Sequence, residues 1–178
     1  MSSSHVAAGV LLAAGAGTRY GMPKVLAEQG SWLSAAVTAL RDGGCRDIVV
    51  VLGAAVVPVP APARAVVADD WADGLSASLR AGIGAVDAEL AVITLVDTPD
   101  IGADAVRRVL AAAAETGLAR AVYAGRPGHP VVIARRFWPQ MLAAAHGDTG
   151  AGPFLRGRAD VVDVECADLG TGADVDEP

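Results

Sequence analysis

The stretch Val6–Lys24 reads VAAGVLLAAGAGTRYGMPK, and it runs from hydrophobic core to chemistry within nineteen residues. Val6–Ala14 carries no charge or hydroxyl. So short and uniformly apolar a run fits a strand covered on both faces, because a half-exposed strand would alternate. From Gly15 to Gly30 the composition changes to glycine and turn-formers, over a length greater than a simple connection needs. Long segments of this kind inside a compact domain are usually functional. Glycines let backbone N–H groups approach phosphate oxygens, and Arg19 and Lys24 add positive charge beside them.

The rest of the chain repeats the pattern. Asp47–Leu52 (DIVVVL) and Leu90–Val96 (LAVITLV) are further buried strands, the latter ending on Asp97. Shorter strands are expected at Arg64–Ala68, Ala119–Tyr123, Val131–Ala134 and Val161–Glu165. Helices are expected at Ser31–Arg41, with Ser31 or Ser34 as cap, and at Gly74–Val86, Ala103–Ala114 and Arg135–Ala145. A glycine-rich turn is expected around His129. Strands alternating with helices predict an α/β fold: a three-layer sandwich on a mostly parallel, twisted sheet. No linker, repeat or low-complexity tail is evident, so residues 1–178 read as one domain. Ligands of such sheets bind beyond the carboxyl ends of the strands. The loop after the first strand, Asp97 and the turn at His129 all belong there.

Composition narrows the partners. The chain has 178 residues, 53% of them hydrophobic, and a formal charge of −6 without any basic block. That balance excludes disorder and argues against nucleic-acid binding, which needs clustered cations. No apolar run reaches the roughly 18 residues of a membrane span. Met1–His5 lacks the basic start of a signal peptide. Cys45 and Cys166 are too few for a disulfide framework or a cysteine zinc site, so a cytoplasmic location is expected. Thirteen of the fourteen basic residues are arginine, and Lys24 is the only lysine. A compact, mobile ammonium is not replaced by arginine, so Lys24 stands out as a chemical position on an exposed loop.

The loop fails two common phosphate-binding patterns. Gly21 lies three residues before Lys24 and Val25 follows it, which excludes a Walker A loop. Gly15, Gly17 and Gly21 miss the dinucleotide spacing, and the second strand ends Leu52-Gly53-Ala54 without the ribose-binding acid. What the segment 11–24 does match, from Leu12 to Lys24, is LAAGxGxRxGxPK, which resembles the signature of nucleotidyltransferases with the nucleotide-diphospho-sugar transferase, Rossmann-like fold. Further segments resemble the MobA-like molybdenum cofactor nucleotidyltransferases, in order along the chain. They are DDWADGLSASLRAGI (69–83), LVDTPDI (95–101), GRPGHPVVI (125–133), GDTGAGPFL (147–155) and GADVDEP (172–178). The Ala13-Ala14-Gly15 start and the serines of 74–79 look more like the cytidylyltransferase branch than the guanylyltransferase branch.

This resemblance implies a Mg-dependent transfer of CMP from CTP to a molybdopterin-type phosphate, with release of pyrophosphate and a molybdoenzyme as recipient. It implies nucleotide contacts from Leu12, Ala13, Ala14, Gly15, Gly17, Arg19, Lys24, Gly74, Ser76 and Ser78. Catalytic roles would fall to Lys24, Arg19 and Asp97, magnesium would sit on Asp97 and Asp176, and the acceptor would meet His129 and Asp148. Gly152 stands where the family usually has arginine, and Arg156 or Arg158 is a candidate substitute. Each residue also has a plainer reading: Asp97 as a helix cap, Asp148 as an Asx turn, the serines as cap hydroxyls, Asp176 as part of a frayed terminus. Trp32, Trp71 and Trp138 read as packing. Competing functions are the same chemistry with GTP or another phosphorylated acceptor, a non-catalytic nucleotide- or cofactor-binding accessory protein, and a dinucleotide-dependent oxidoreductase.

Overall fold

The computed structural model describes residues 6–178. The first strand, β1 (Ala7–Leu12), lies inside a seven-stranded sheet, third from one edge, and pairs in parallel on both sides, with β2 (Asp47–Leu52) and β4 (Leu90–Leu95). Beyond β2 lies β3 (Arg64–Val67), also parallel. Beyond β4 come β6 (Arg126–Ala134), β5 (Leu118–Tyr123) and β7 (Val162–Glu165), giving the order β3-β2-β1-β4-β6-β5-β7. β6 runs antiparallel to both of its neighbours, and β5 and β7 are parallel to each other. The sheet is therefore mostly parallel, as the sequence pattern predicts.

Alternation along the strands explains the three layers. Leu11 and Ala13 of the first strand and its extension, with Ile48, Val50 and Leu52, face one helical layer. That layer holds α1 (Ser31–Asp42) and α3 (Ala103–Ala112), packed through Leu33, Val37, Leu40, Val106 and Val109. Val10, Leu12 and Ala14 face the other layer with Val49 and Val51. It holds α2 (Leu75–Gly84), α4 (Trp138–Ala144) and the short α5 (Gly152–Leu155), packed through Leu79, Ile83, Trp138, Met141 and Phe154. Because both faces are covered, the central strands are apolar at every position. Gly82 lets α2 lie directly on β1: a Cβ there would stand 2.5 Å from Val10 Cγ1.

Three local expectations change, and one short helix appears that was not expected. Neither Ser31 nor Ser34 caps α1, because Gly30 in a left-handed conformation holds the N-cap. Arg135–Phe137 forms a 3-10 turn, and α4 starts only at Trp138, with Pro139 in its first turn. The turn near His129 is shorter than expected. Ala124 and Gly125, both at positive φ, reverse the chain, and β6 already begins at Arg126. Its glycines and prolines mask a strand that starts outside the core. Finally, Gly152–Leu155 is helical although its composition gives no helical signal.

Candidate active site

β1 is the switch point of the sheet, where neighbours are added on both sides, and such points open a crevice beyond the strand ends. After Leu12 the chain stays pinned for two residues. Ala13 N–H donates to Val51 O at 3.0 Å, and Ala14 O accepts from Ala54 N–H at 3.0 Å. It then leaves the sheet at Gly15. Gly17 closes the loop: at φ +63° a Cβ would sit 1.9 Å from Met22 O, so only glycine fits. Gly21 N–H returns to Gly17 O at 2.8 Å.

This loop forms one wall of a cavity of about 540 Å³. Leu12, Ala13, Ala14, Gly15, Gly17, Arg19, Lys24, Gly74, Ser78, Asp97, Asp148 and Asp176 all line it, so most of the expected residues meet in one place. Ser76 does not. Its hydroxyl and its N–H both donate to Gly147 O, at 2.8 and 3.0 Å, and it is buried. That bond holds the 146–149 turn against the start of α2. Gly74 is pressed against the same turn, where a Cβ would approach Asp148 Oδ1 to 2.6 Å. The turn itself is closed by Thr149, whose hydroxyl bonds His146 N and O, and not by an Asx bond from Asp148. Asp148 thus presents its carboxylate to the cavity.

Opposite the glycine loop stand three carboxylates. One oxygen each of Asp97, Asp174 and Asp176 lie within 4.8 Å of one another. Asp97 leaves β4 and does not cap α3, whose N-cap is Gly102. Its Oδ2 accepts from Lys24 Nζ at 2.9 Å, and Asp176 Oδ1 accepts from the same ammonium at 3.0 Å. Arg19 pairs with the other oxygen of Asp176 at 3.0 Å. Lys24 is therefore not the exposed loop lysine expected from sequence; its side chain is only 14% exposed. Burial opposes its charge, but the hydrogen bonds and charges of Asp97 and Asp176 hold its pKa above the usual lysine value. The Lys24 hydrogen bond likewise holds Asp176 below the usual carboxylate range.

The donor set suits a hard divalent cation, which takes carboxylate oxygens. Asp97 Oδ1 supports the fit. It is buried without a hydrogen-bond partner, the only such side-chain atom among the described residues. Buried polar atoms are normally satisfied, and an orphan needs an explanation; a cation would supply the missing partner.

The C-terminal segment is not frayed. Val175 N–H donates to Asp97 O at 2.9 Å, which fixes Asp174 and Asp176 beside Asp97. Asp174 carried only a weak signal, the D-x-D spacing of residues 174–176. In an extended chain, residues two apart share a face. His129, half-buried on β6, is not among the residues lining the cavity. Burial pushes its imidazole pKa down, while the charges of Asp97 and Asp174 pull the other way. Trp71 lines the cavity, contrary to its reading as packing alone. Trp138 is buried and donates to Ile133 O, and Trp32 packs on Tyr20. Arg158 cannot replace the absent arginine at Gly152: it is committed to Asp160 and stacked on Phe137 and Phe154.

No helix of the described residues is long and apolar enough to cross a membrane. Among curated proteins, the chain is 39% identical to the nicotine blue oxidoreductase of Paenarthrobacter nicotinovorans, over 94% of this chain and 91% of that one. Among solved structures it resembles a homologue of Rv0371c from Mycobacterium sp. strain JC1. The two share 32% identity and a TM-score of 0.81, over 96% and 90% of the two chains. It also resembles Rv0371c of Mycobacterium tuberculosis H37Rv in complex with manganese, at 27% identity and a TM-score of 0.71, over 90% and 88%. The fold is that of the nucleotide-diphospho-sugar transferases, shared with NTP-dependent nucleotidyltransferases. A profile of the MobA-like NTP transferase domain matches residues 9–163, from within the first strand to within the last, and the chain belongs to that family.

Proposed function

We propose that this protein transfers CMP from CTP to the phosphate of a molybdopterin-type acceptor, releasing pyrophosphate, with magnesium as the metal. The observation that carries the reading is the convergence of Asp97, Asp174 and Asp176, the first and last of them bonded to Lys24, at the mouth of the glycine loop. Nucleotidyl transfer needs positioning and charge neutralisation, and little covalent work from the protein. An acceptor phosphate oxygen attacks the α-phosphorus, the bond to the β-phosphate breaks, and pyrophosphate leaves. Loop N–H groups and Arg19 hold the triphosphate. Lys24, the sole lysine, meets charge developing at the α-phosphate. Magnesium, held by Asp97, Asp174 and Asp176, would neutralise phosphate charge. The choice of CTP rests on the Ala13-Ala14-Gly15 start of the loop. Asp148, a carboxylate on the cavity wall, suits hydrogen-bond donors of the acceptor.

A second reading is an oxidoreductase, favoured by the name of the 39% identical relative. Against it stands the missing ribose-binding acid after β2.

Pyrophosphate release with each of the four NTPs, Mg²⁺ and molybdopterin tests the proposal. Release with CTP only in the presence of the pterin supports it. Release with GTP moves the activity to guanylyl transfer. No release, together with NAD(P)H binding and oxidation, replaces it with the second reading.

A further inference from the structure

We propose that Asp100 is a positioning residue that sets the metal affinity of the site, by clasping the C-terminal strap on which Asp174 and Asp176 are carried. The inference rests on the metal-dependent reading above and names a residue outside the carboxylate cluster.

Residues 170–178 form no helix or strand, and most of them are exposed. Apolar burial therefore contributes little to their position, and polar contacts must supply it. Asp100 Oδ2 accepts from both Thr171 N–H, at 2.7 Å, and Thr171 Oγ1, at 2.6 Å. The same hydroxyl accepts from Ala173 N–H at 3.2 Å, which begins the turn back toward the site. The next residue, Gly172, lies at φ +62° against the ring of Tyr123, where a Cβ would stand 2.2 Å from the ring. Three residues later Val175 N–H reaches Asp97 O. Asp174 is thus suspended between an anchor at Thr171 and an anchor at Val175, and Asp176 lies just beyond the second.

Both polar anchors belong to one loop. Asp97 and Asp100 leave β4 together, and this loop is braced by Thr98 Oγ1 on Leu95 O at 2.9 Å and Ile101 N–H on Thr98 O at 3.3 Å. A single rigid turn therefore supplies the first carboxylate and fixes the distance to the other two. Without Asp100, the strap is held by the Tyr123 seat, the Val175 bond and the pairing of Asp176 with Lys24 and Arg19, none of which fixes Thr171. Outer-shell partners that orient metal ligands typically change metal affinity by about 10–100-fold when lost.

The test is Mn²⁺ binding to the full chain, followed by the electron paramagnetic resonance of free Mn²⁺, alongside melting of the metal-free protein. Asp100→Ala should raise the Mn²⁺ Kd by about tenfold or more, with the metal-free melting temperature unchanged, since Asp100 and Thr171 are both exposed. Thr171→Val keeps the backbone bond and removes the hydroxyl, so its Kd should fall between those of the parent and Asp100→Ala. It carries the test if Asp100→Ala does not fold. A Kd equal to the parent's in both variants overturns the clasp while leaving the metal site standing. No Mn²⁺ binding by the parent overturns the metal-dependent reading and the clasp with it.

Discussion

The two halves of the site are built in opposite ways. The glycine loop is local: Leu12–Lys24 grow out of one central strand, and Gly17 and Gly21 close on each other within the loop. The carboxylate cluster is assembled from afar, Asp97 on the turn after β4 and Asp174 and Asp176 on a strap without regular structure. Lys24 joins them, its ammonium 2.9 and 3.0 Å from two of the three carboxylates. A backbone-built half tolerates side-chain change and is broken by altering glycines. A half held by polar side-chain bonds is broken one contact at a time.

The sharpest way to break this contrast is Asp97→Ala. It removes the central member of the cluster and its unpartnered buried oxygen. Metal binding should be lost, and turnover should fall by at least about 10³-fold, the upper end for losing one preorganised electrostatic group. Melting of the metal-free protein should change little, because removing an unsatisfied buried acceptor offsets the lost Lys24 contact. Mn²⁺ titration, pyrophosphate release and thermal melts on one preparation check all three. Retained Mn²⁺ binding would detach Asp97 from the cluster.

Lys24→Ala should separate the halves. Turnover should fall by about 10²–10³-fold, yet Mn²⁺ should bind at least as tightly as in the parent, because the ammonium no longer neutralises the carboxylates that would hold the cation. Simultaneous loss of metal binding would mean that Lys24 holds the cluster together and does not merely neutralise it.

This contrast also explains what could be read from sequence. β2 was expected at Asp47–Leu52 and is found there, because a run of five aliphatic residues has no other stable placement. The glycine loop and Asp97 were legible for the same reason: they are contiguous with strands whose pattern is unmistakable. Ser76 was harder to read. Its hydroxyl is consumed by Gly147 O, a partner 71 residues away that no local spacing announces. The strap was the least legible part, since its anchors, Asp100 and Tyr123, lie far earlier in the chain. In isolation GADVDEP reads as an exposed terminus, and only the D-x-D spacing hints at a shared face.

Gly17→Ala tests the local half with a smaller effect. The added methyl meets Met22 O in a conformation that alanine adopts only under strain, a cost of about 1–3 kcal/mol. The loop should shift, raising the KM for the nucleotide more than it lowers kcat, while the Mn²⁺ Kd stays at the parent value. An unchanged nucleotide KM would show that the loop conformation is not used in binding.

The smallest expected effect lies at His129, whose carbonyl accepts from Tyr123 Oη at 2.6 Å while the ring of Tyr123 seats the strap. Burial holds its folded pKa below the ordinary 6.5, with Asp97 and Asp174 opposing. The unfolded chain therefore takes up a proton near that pH which the folded chain resists. Stability should be flat above about pH 6.5 and should decline as the pH falls toward and through the folded value. Asp176 acts in the same sense in a lower window. Its folded pKa lies below 3.8 because of the Lys24 hydrogen bond, so its contribution is present above about pH 4 and is lost as the pH falls through the folded value. His129→Gln should therefore flatten the melting temperature just below about pH 6.5 and leave the acid limb in place. Lys24→Ala should do the reverse, because it removes the partner that lowers Asp176 and leaves the imidazole buried. If both variants flatten the same limb, the histidine and the strap titrate as one unit, and the cluster extends across the sheet to β6.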